Sequence, residues 1–161
     1  MELYWLNLLH ALAAMVWIGG SVSIALVITP VLRQKAAHDQ RIALIAAMGK
    51  RFRTIGWIAL VVLVLTGVRR AMLAFGGAPD PWEAMATTAY GRTLTSKIFV
   101  VAVLLALQLM HDFVLGPRVQ RLATAQSPGL ARARVATIGL AMGGLLLSLV
   151  IVGLAASLRF R

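Results

Sequence analysis

The sequence predicts an all-α integral membrane protein built as a four-helix bundle. Three observations lead there. The 161 residues are 60% hydrophobic and only 13% charged, whereas a soluble domain uses roughly 25% charged residues to cover its surface. The apolar residues fall into four long runs, and the prolines fall between those runs rather than inside them. Water cannot solvate such a chain, so lipid must, and a cytoplasmic enzyme or a nucleic-acid binder is excluded despite the net charge of +11. The absence of cysteine removes disulfides, thiolate metal sites and cysteine nucleophiles.

Residues Leu3–Leu32 contain no Asp, Glu, Lys or Arg. That run exceeds the apolar core of a cleaved signal peptide, about 7–15 residues, and suffices for a tilted span, which needs about 20. The first span is read over 3–29, ending near Pro30. The second is read over 52–75, uncharged from Thr54 to Val68 before Arg69 and Arg70. The third runs over 92–116, closing near Gly116-Pro117, and the fourth over 135–158. Together they form a single four-span domain, 1–161. Ile42, Ile45, Gly49 and Phe52 fall near helical spacing, so an amphipathic helix is expected to lie on the membrane or lead into the second span. Gly76–Gly91, with Gly76-Gly77, Pro79 and Pro81, reads as irregular, and Trp82 and Tyr90 suit the lipid–water boundary. Gly139 and Gly143 form a small-residue pair at helical spacing, and Gly19, Gly20 and Ser23 offer the first span a similar face for close packing.

Ten Lys and Arg lie in 33–53 and 117–134, against six elsewhere. The positive-inside rule then places those two loops in the cytoplasm of a bacterial-type inner membrane, with both termini on the outer side.

Ionisable residues inside spans are costly and mark functional sites by default. Asn7, His10, Ala14, Trp17 and Ser21 share one stripe of the first helix; Lys97, Leu104, Gln108 and His111 share one on the third. At about 1.5 Å per residue, His10, Lys97, Arg69 and Arg70 all fall about 8–10 Å below the outer boundary. Such a layer suits an anion. The propionates of haem b would meet Arg69, Arg70 and Lys97, with His10 as axial ligand and Trp17 beside it. The alternative is that these cations only snorkel to the headgroups. His111 lies about 18 Å deeper than His10, so the two are not expected to share one iron. Met142 on the fourth span falls at the depth of His111, and a His–Met pair suits soft copper as well as haem. The metal-ligand candidates are therefore His10, His111 and Met142. Asp112 is expected to pair with Arg118 or Arg53, and His38 to be solvated in the first loop. No phosphate loop, dinucleotide fingerprint, metalloprotease pair or nucleophile elbow is present.

Several of these residues stand in a familiar order. Leu9-His10-Ala11-Leu12-Ala13-Ala14-Met15-Val16-Trp17-Ile18-Gly19-Gly20 resembles the first helix of the copper-resistance D superfamily, in which a histidine is followed seven residues later by tryptophan and then by a pair of small residues. Thr29-Pro30, Arg51-Phe52-Arg53 before Gly56-Trp57, Thr66-Gly67, Lys97, and His111-Asp112-Phe113 ahead of Gly116-Pro117-Arg118 extend the resemblance over most of the spans. It implies a small membrane protein of copper uptake or resistance. A related branch, the HemJ-type protoporphyrinogen oxidase, carries a histidine in its first helix and a lysine near the start of its third, the places of His10 and Lys97, and implies a haem-dependent oxidoreductase. Three functions are open: a haem-b protein with a redox role and a membrane redox partner, a copper uptake or resistance protein using His10, His111 and Met142, and a cofactor-free accessory subunit of a membrane complex. A homo-oligomer is compatible with each.

Overall fold

The computed structural model describes residues 1–35 and 38–157. Within them the regular structure is helical: α1 (Glu2–Val22), a π-helical turn (Ser23–Ile28), α2 (Thr29–Lys35), α3 (His38–Phe75), α4 (Pro81–Thr87), α5 (Ala89–Leu109), a second π-helical turn (Met110–Leu115), α6 (Gly116–Thr124) and α7 (Leu130–Ser157). Four stretches, Glu2–Leu32, Ala43–Phe75, Ala89–Thr124 and Leu130–Ala156, are long and apolar enough to cross a membrane. Their outward faces are hydrophobic, with Leu65 65% and Phe99 69% exposed, an arrangement that lipid tolerates and water does not. The expectations for the His38 side chain, for Ile42 and for the last span's end at Leu158 lie outside the described residues.

The chain divides into two compact units, Met1–Gly77 and Ala78–Arg161. In the first, α1 packs antiparallel on α3. Trp17 stacks on Phe52 with ring centroids 5.9 Å apart. Glycine makes room on both helices: a Cβ at Gly56 would lie 2.8 Å from Cζ3 of Trp17, and one at Gly20 would collide with Cε2 of Phe52. Gly19, by contrast, meets open space. Ala13, Trp17, Ala59 and Leu60 are buried in the resulting core. The helix expected to lead into the second span is the N-terminal part of α3, continuous with it.

In the second unit α4 crosses closely over the start of α5. Gly91 lies against the backbone carbonyls of Ala84 and Met85, too near for any side chain. The irregular loop expected over Gly76–Gly91 is therefore corrected: α4 occupies its middle, and α5 begins within it at Ala89. Asp80 caps α4, accepting from the N–H groups of Trp82 (2.9 Å) and Glu83 (3.1 Å), and Pro81 sits in the first turn, where a missing N–H costs nothing. Further along, α5 pairs with α7. Gly143 faces Leu107, at 3.9 Å from a Cβ position, while Gly139 meets nothing within 4 Å. The expected small-residue pair is used at Gly143 alone.

A second correction concerns the prolines. Neither Pro30 nor Pro117 ends its helix. In both places the preceding turn is π-helical: the Thr29 N–H bonds the Ile24 carbonyl, and the Gly116 N–H bonds that of His111, five residues back rather than four. A proline ring clashes with the carbonyl four residues before it and donates nothing to it. Widening the previous turn by one residue relieves both problems, so the helix continues.

Candidate functional site

The first candidate site lies between α1 and α3. Thr66 is buried and donates its hydroxyl proton to the Val62 carbonyl at 2.6 Å, the usual way for threonine to satisfy itself inside a helix. Its oxygen then accepts from His10, whose Nδ1 lies 2.8 Å away. That network assigns the Nδ1–H tautomer and puts the ring's lone pair on Nε2. Gly67 lies beside it: a Cβ there would sit 3.6 Å from Cε1 of His10, an ordinary contact, so the ring's place against α3 does not depend on glycine. The role of Thr66 is missed by sequence reasoning focused on charges. The signal was a lone hydroxyl residue deep in an uncharged run.

Three expected members of the cofactor layer also belong to this unit. Arg69, one turn beyond Thr66, is engaged by Glu2, with Nε 2.7 Å from Oε1 and both side chains about half exposed. Arg70 is half-buried on α3. Trp17 is buried in the α1–α3 packing, on Phe52 and Gly56. Of the polar stripe on α1, Ser21 donates back to the Trp17 carbonyl at 2.8 Å, and Asn7 is exposed.

The second candidate site lies at the π-helical turn after α5. Asp112 is buried, and both of its carboxylate oxygens accept hydrogen bonds. Oδ2 takes Nε2–H of Gln108 at 2.8 Å, and Oδ1 takes Nδ1 of His111 at 2.8 Å. Two of the bonds of Asp112 thus go to these neighbours in sequence. Residues 108 and 112 are one helical turn apart and 111 and 112 are adjacent, so the three gather into one polar cluster at the π-turn. A carboxylate accepts only, so Nδ1 of His111 is a donor, and in the neutral ring the lone pair again falls on Nε2. Lys97 is half-buried further up α5, and Met142 lies on α7. Among the described residues, no three His, Asp or Glu side chains gather into a metal-holding group.

Both units thus present one imidazole with an oxygen 2.8 Å from its Nδ1. Comparison with known proteins bears on what such imidazoles serve. A family model described as CopD, copper resistance protein D, matches residues 46–158. That stretch includes Thr66, His111, Asp112 and Met142 and begins downstream of His10. A protein of Aquifex aeolicus (strain VF5), described as an uncharacterized protein, is 28% identical over 111 residues, 68% of this chain and 68% of its own. No solved structure matches the chain.

Proposed function

Since this chain belongs to the copper resistance protein D family, we propose that it handles copper ions as cargo in the inner membrane, offering them one imidazole from each helix pair. The observation that supports this most is the oxygen 2.8 Å from Nδ1 of both histidines. A metal-ligating histidine almost always gives its other N–H to a carboxylate or another oxygen, which orients the ring and raises its basicity. His10 does so through Thr66, and His111 through Asp112. Imidazole and thioether are suitable ligands for copper, and Met142 is the thioether assigned here to the site of His111. One imidazole in each unit is a sparse donor set. It suits an ion that is bound and passed on better than one held in a closed four-ligand structural site.

The Glu2–Arg69 pair bears on the choice between a cation and haem. A haem carries two carboxylates, and a pocket for it gains from uncompensated arginines. Here Glu2 already occupies Arg69, which leaves Arg70, of the two neighbouring arginines, for a propionate. The second reading, a haem-b protein with a redox role, shares one observation with the first: a histidine whose Nδ1–H is anchored is also a sound axial ligand. Arg70 would then serve a propionate. The Lys/Arg bias supports both termini on the outer side for either reading.

One purified sample separates them. After expression with copper and with ample haem precursor, metal analysis of the detergent-solubilised protein is expected to find copper and no Soret band, and His10→Ala and His111→Ala are each expected to lower the copper retained. A Soret band that disappears in His10→Ala would favour haem. Neither copper nor a Soret band, with unchanged cellular copper on deletion of the protein, would leave the accessory-subunit reading.

A further inference from the structure

The end of the second unit around α6 carries a concentration of charge that copper chemistry does not use. Arg118, Arg121, Arg132 and Arg134 fall within seventeen residues, and no Asp or Glu occurs anywhere after Asp112. Among the described residues, the side chains of Arg118, Arg121 and Arg132 make no hydrogen bond or ion pair. They are nonetheless grouped. A groove of 350 Å³ between α6 and the start of α7 is lined by Arg118 and Arg132 on its polar side and by Leu115, Leu122, Ala133 and Ala136 on its apolar side. Arg118 also borders an adjoining groove of 440 Å³ that runs past Arg121 to Phe113 and Val114, both more than half exposed.

The turn joining α6 to α7 holds this arrangement in place. It is a Schellman motif: the Ser127 N–H bonds the Leu122 carbonyl at 3.0 Å, and the Gln126 N–H bonds that of Ala123 at 3.3 Å. Gln126 adopts the left-handed conformation, φ 47°, that the motif demands. Leu122 is thereby fixed as the floor of the groove, with Gly129 opposite it.

We propose that this groove binds an anionic phospholipid, with the phosphate between Arg118 and Arg132 and an acyl chain along the apolar lining and the exposed Phe113–Val114 face. Three features select this occupant. The cations are arginines, whose planar forks match a phosphate's oxygens. The charge is uncompensated by any carboxylate in the segment. The groove stands where two membrane-crossing helices, Ala89–Thr124 and Leu130–Ala156, meet their connecting turn, the depth at which headgroups begin. A soluble acidic protein or a nucleic acid would not use the apolar lining.

The test uses the full chain, solubilised in mild detergent, equilibrated with equal amounts of phosphatidylglycerol and phosphatidylcholine and analysed for retained lipid by native mass spectrometry. The wild-type protein is expected to enrich phosphatidylglycerol. Arg118→Gln and Arg132→Gln are each expected to reduce that enrichment about fivefold. Arg69→Gln in the other unit is expected to leave it unchanged. The charge-conserving Arg118→Lys/Arg132→Lys variant is expected to keep a measurable enrichment, so a folding defect in the glutamine variants does not decide the result. Excess inorganic phosphate is expected to leave the lipid bound; displacement by phosphate would assign the arginines to a free anion and overturn the lipid. Equal retention of the two lipids by the wild type, or full enrichment in the doubly substituted glutamine chain, also overturns it.

Discussion

The Nδ1 atom of His10 lies 2.8 Å from Oγ1 of Thr66 on the facing helix, while Thr66 commits its own proton to the Val62 carbonyl. A single hydroxyl thereby sets the tautomer of a histidine 56 residues away. Thr66→Val keeps the shape and removes the acceptor. It is expected to lower copper retention about 10–100-fold and to cost about 1–3 kcal/mol of stability, because a part-buried N–H is left unsatisfied. Thr66→Ser keeps the oxygen and is expected to retain most of both. Competition with a copper chelator and thermal unfolding in detergent are the measurements. Wild-type copper retention in Thr66→Val would remove the hydroxyl from the site.

Asp112 plays the corresponding part in the second unit. In Asp112→Asn one of the two acceptor oxygens becomes an NH₂ group facing a donor, so either Gln108 or His111 loses its bond. Copper retained through His111 is expected to fall about 10–100-fold, while the His10 contribution is unchanged. Asp112→Ala leaves both donors unpaired and is expected to cost a further 1–3 kcal/mol, roughly. Comparing each variant in the His10→Ala background isolates the effect, and a loss of the same size with His111 already replaced by Ala would show that Asp112 acts elsewhere.

The glycines are expected to divide sharply. Gly56→Ala drives a methyl group into Trp17 and is expected to destabilise the α1–α3 pair by about 1–3 kcal/mol. Gly139→Ala enters open space and is expected to change stability by less than about 0.5 kcal/mol. Thermal melts of the two variants side by side check this. An equal loss in both would mean that Gly139 packs against something outside this chain.

At the α6–α7 turn, Gln126 holds a positive φ of 47°, a conformation that costs a residue with a Cβ about 1–2 kcal/mol. Gln126→Gly is expected to recover part of that cost and raise the melting temperature. Gln126→Val, with a branched Cβ, is expected to lower it. A drop on substitution by glycine would indicate that the glutamine side chain itself holds the turn.

Much of the architecture was legible in residue order. The four apolar stretches, their approximate limits and the helix leading into the second span follow from hydropathy and periodicity, because a lipid-crossing helix must satisfy its backbone internally and cover itself in apolar side chains. His10 and Trp17 were visible as one stripe at helical spacing, and Gly20 as part of a small-residue face beside it. The prolines were misread, since sequence rules treat Pro30 and Pro117 as stops, whereas a one-residue widening of the preceding turn absorbs each of them. The Asp80 cap of α4 carried its own signal in Asp80-Pro81, which the neighbouring glycines obscured.

Composition and hydropathy alone determined that this protein lives in a membrane and crosses it with helices, because those properties depend on each segment's own free energy of leaving water. They also marked its two intramembrane histidines. What those histidines are bonded to was decided only in three dimensions. Thr66, Glu2 and Gln108 become partners through helix register and the geometry of a π-turn, and a hydrogen bond depends on angstroms that no count along the chain supplies.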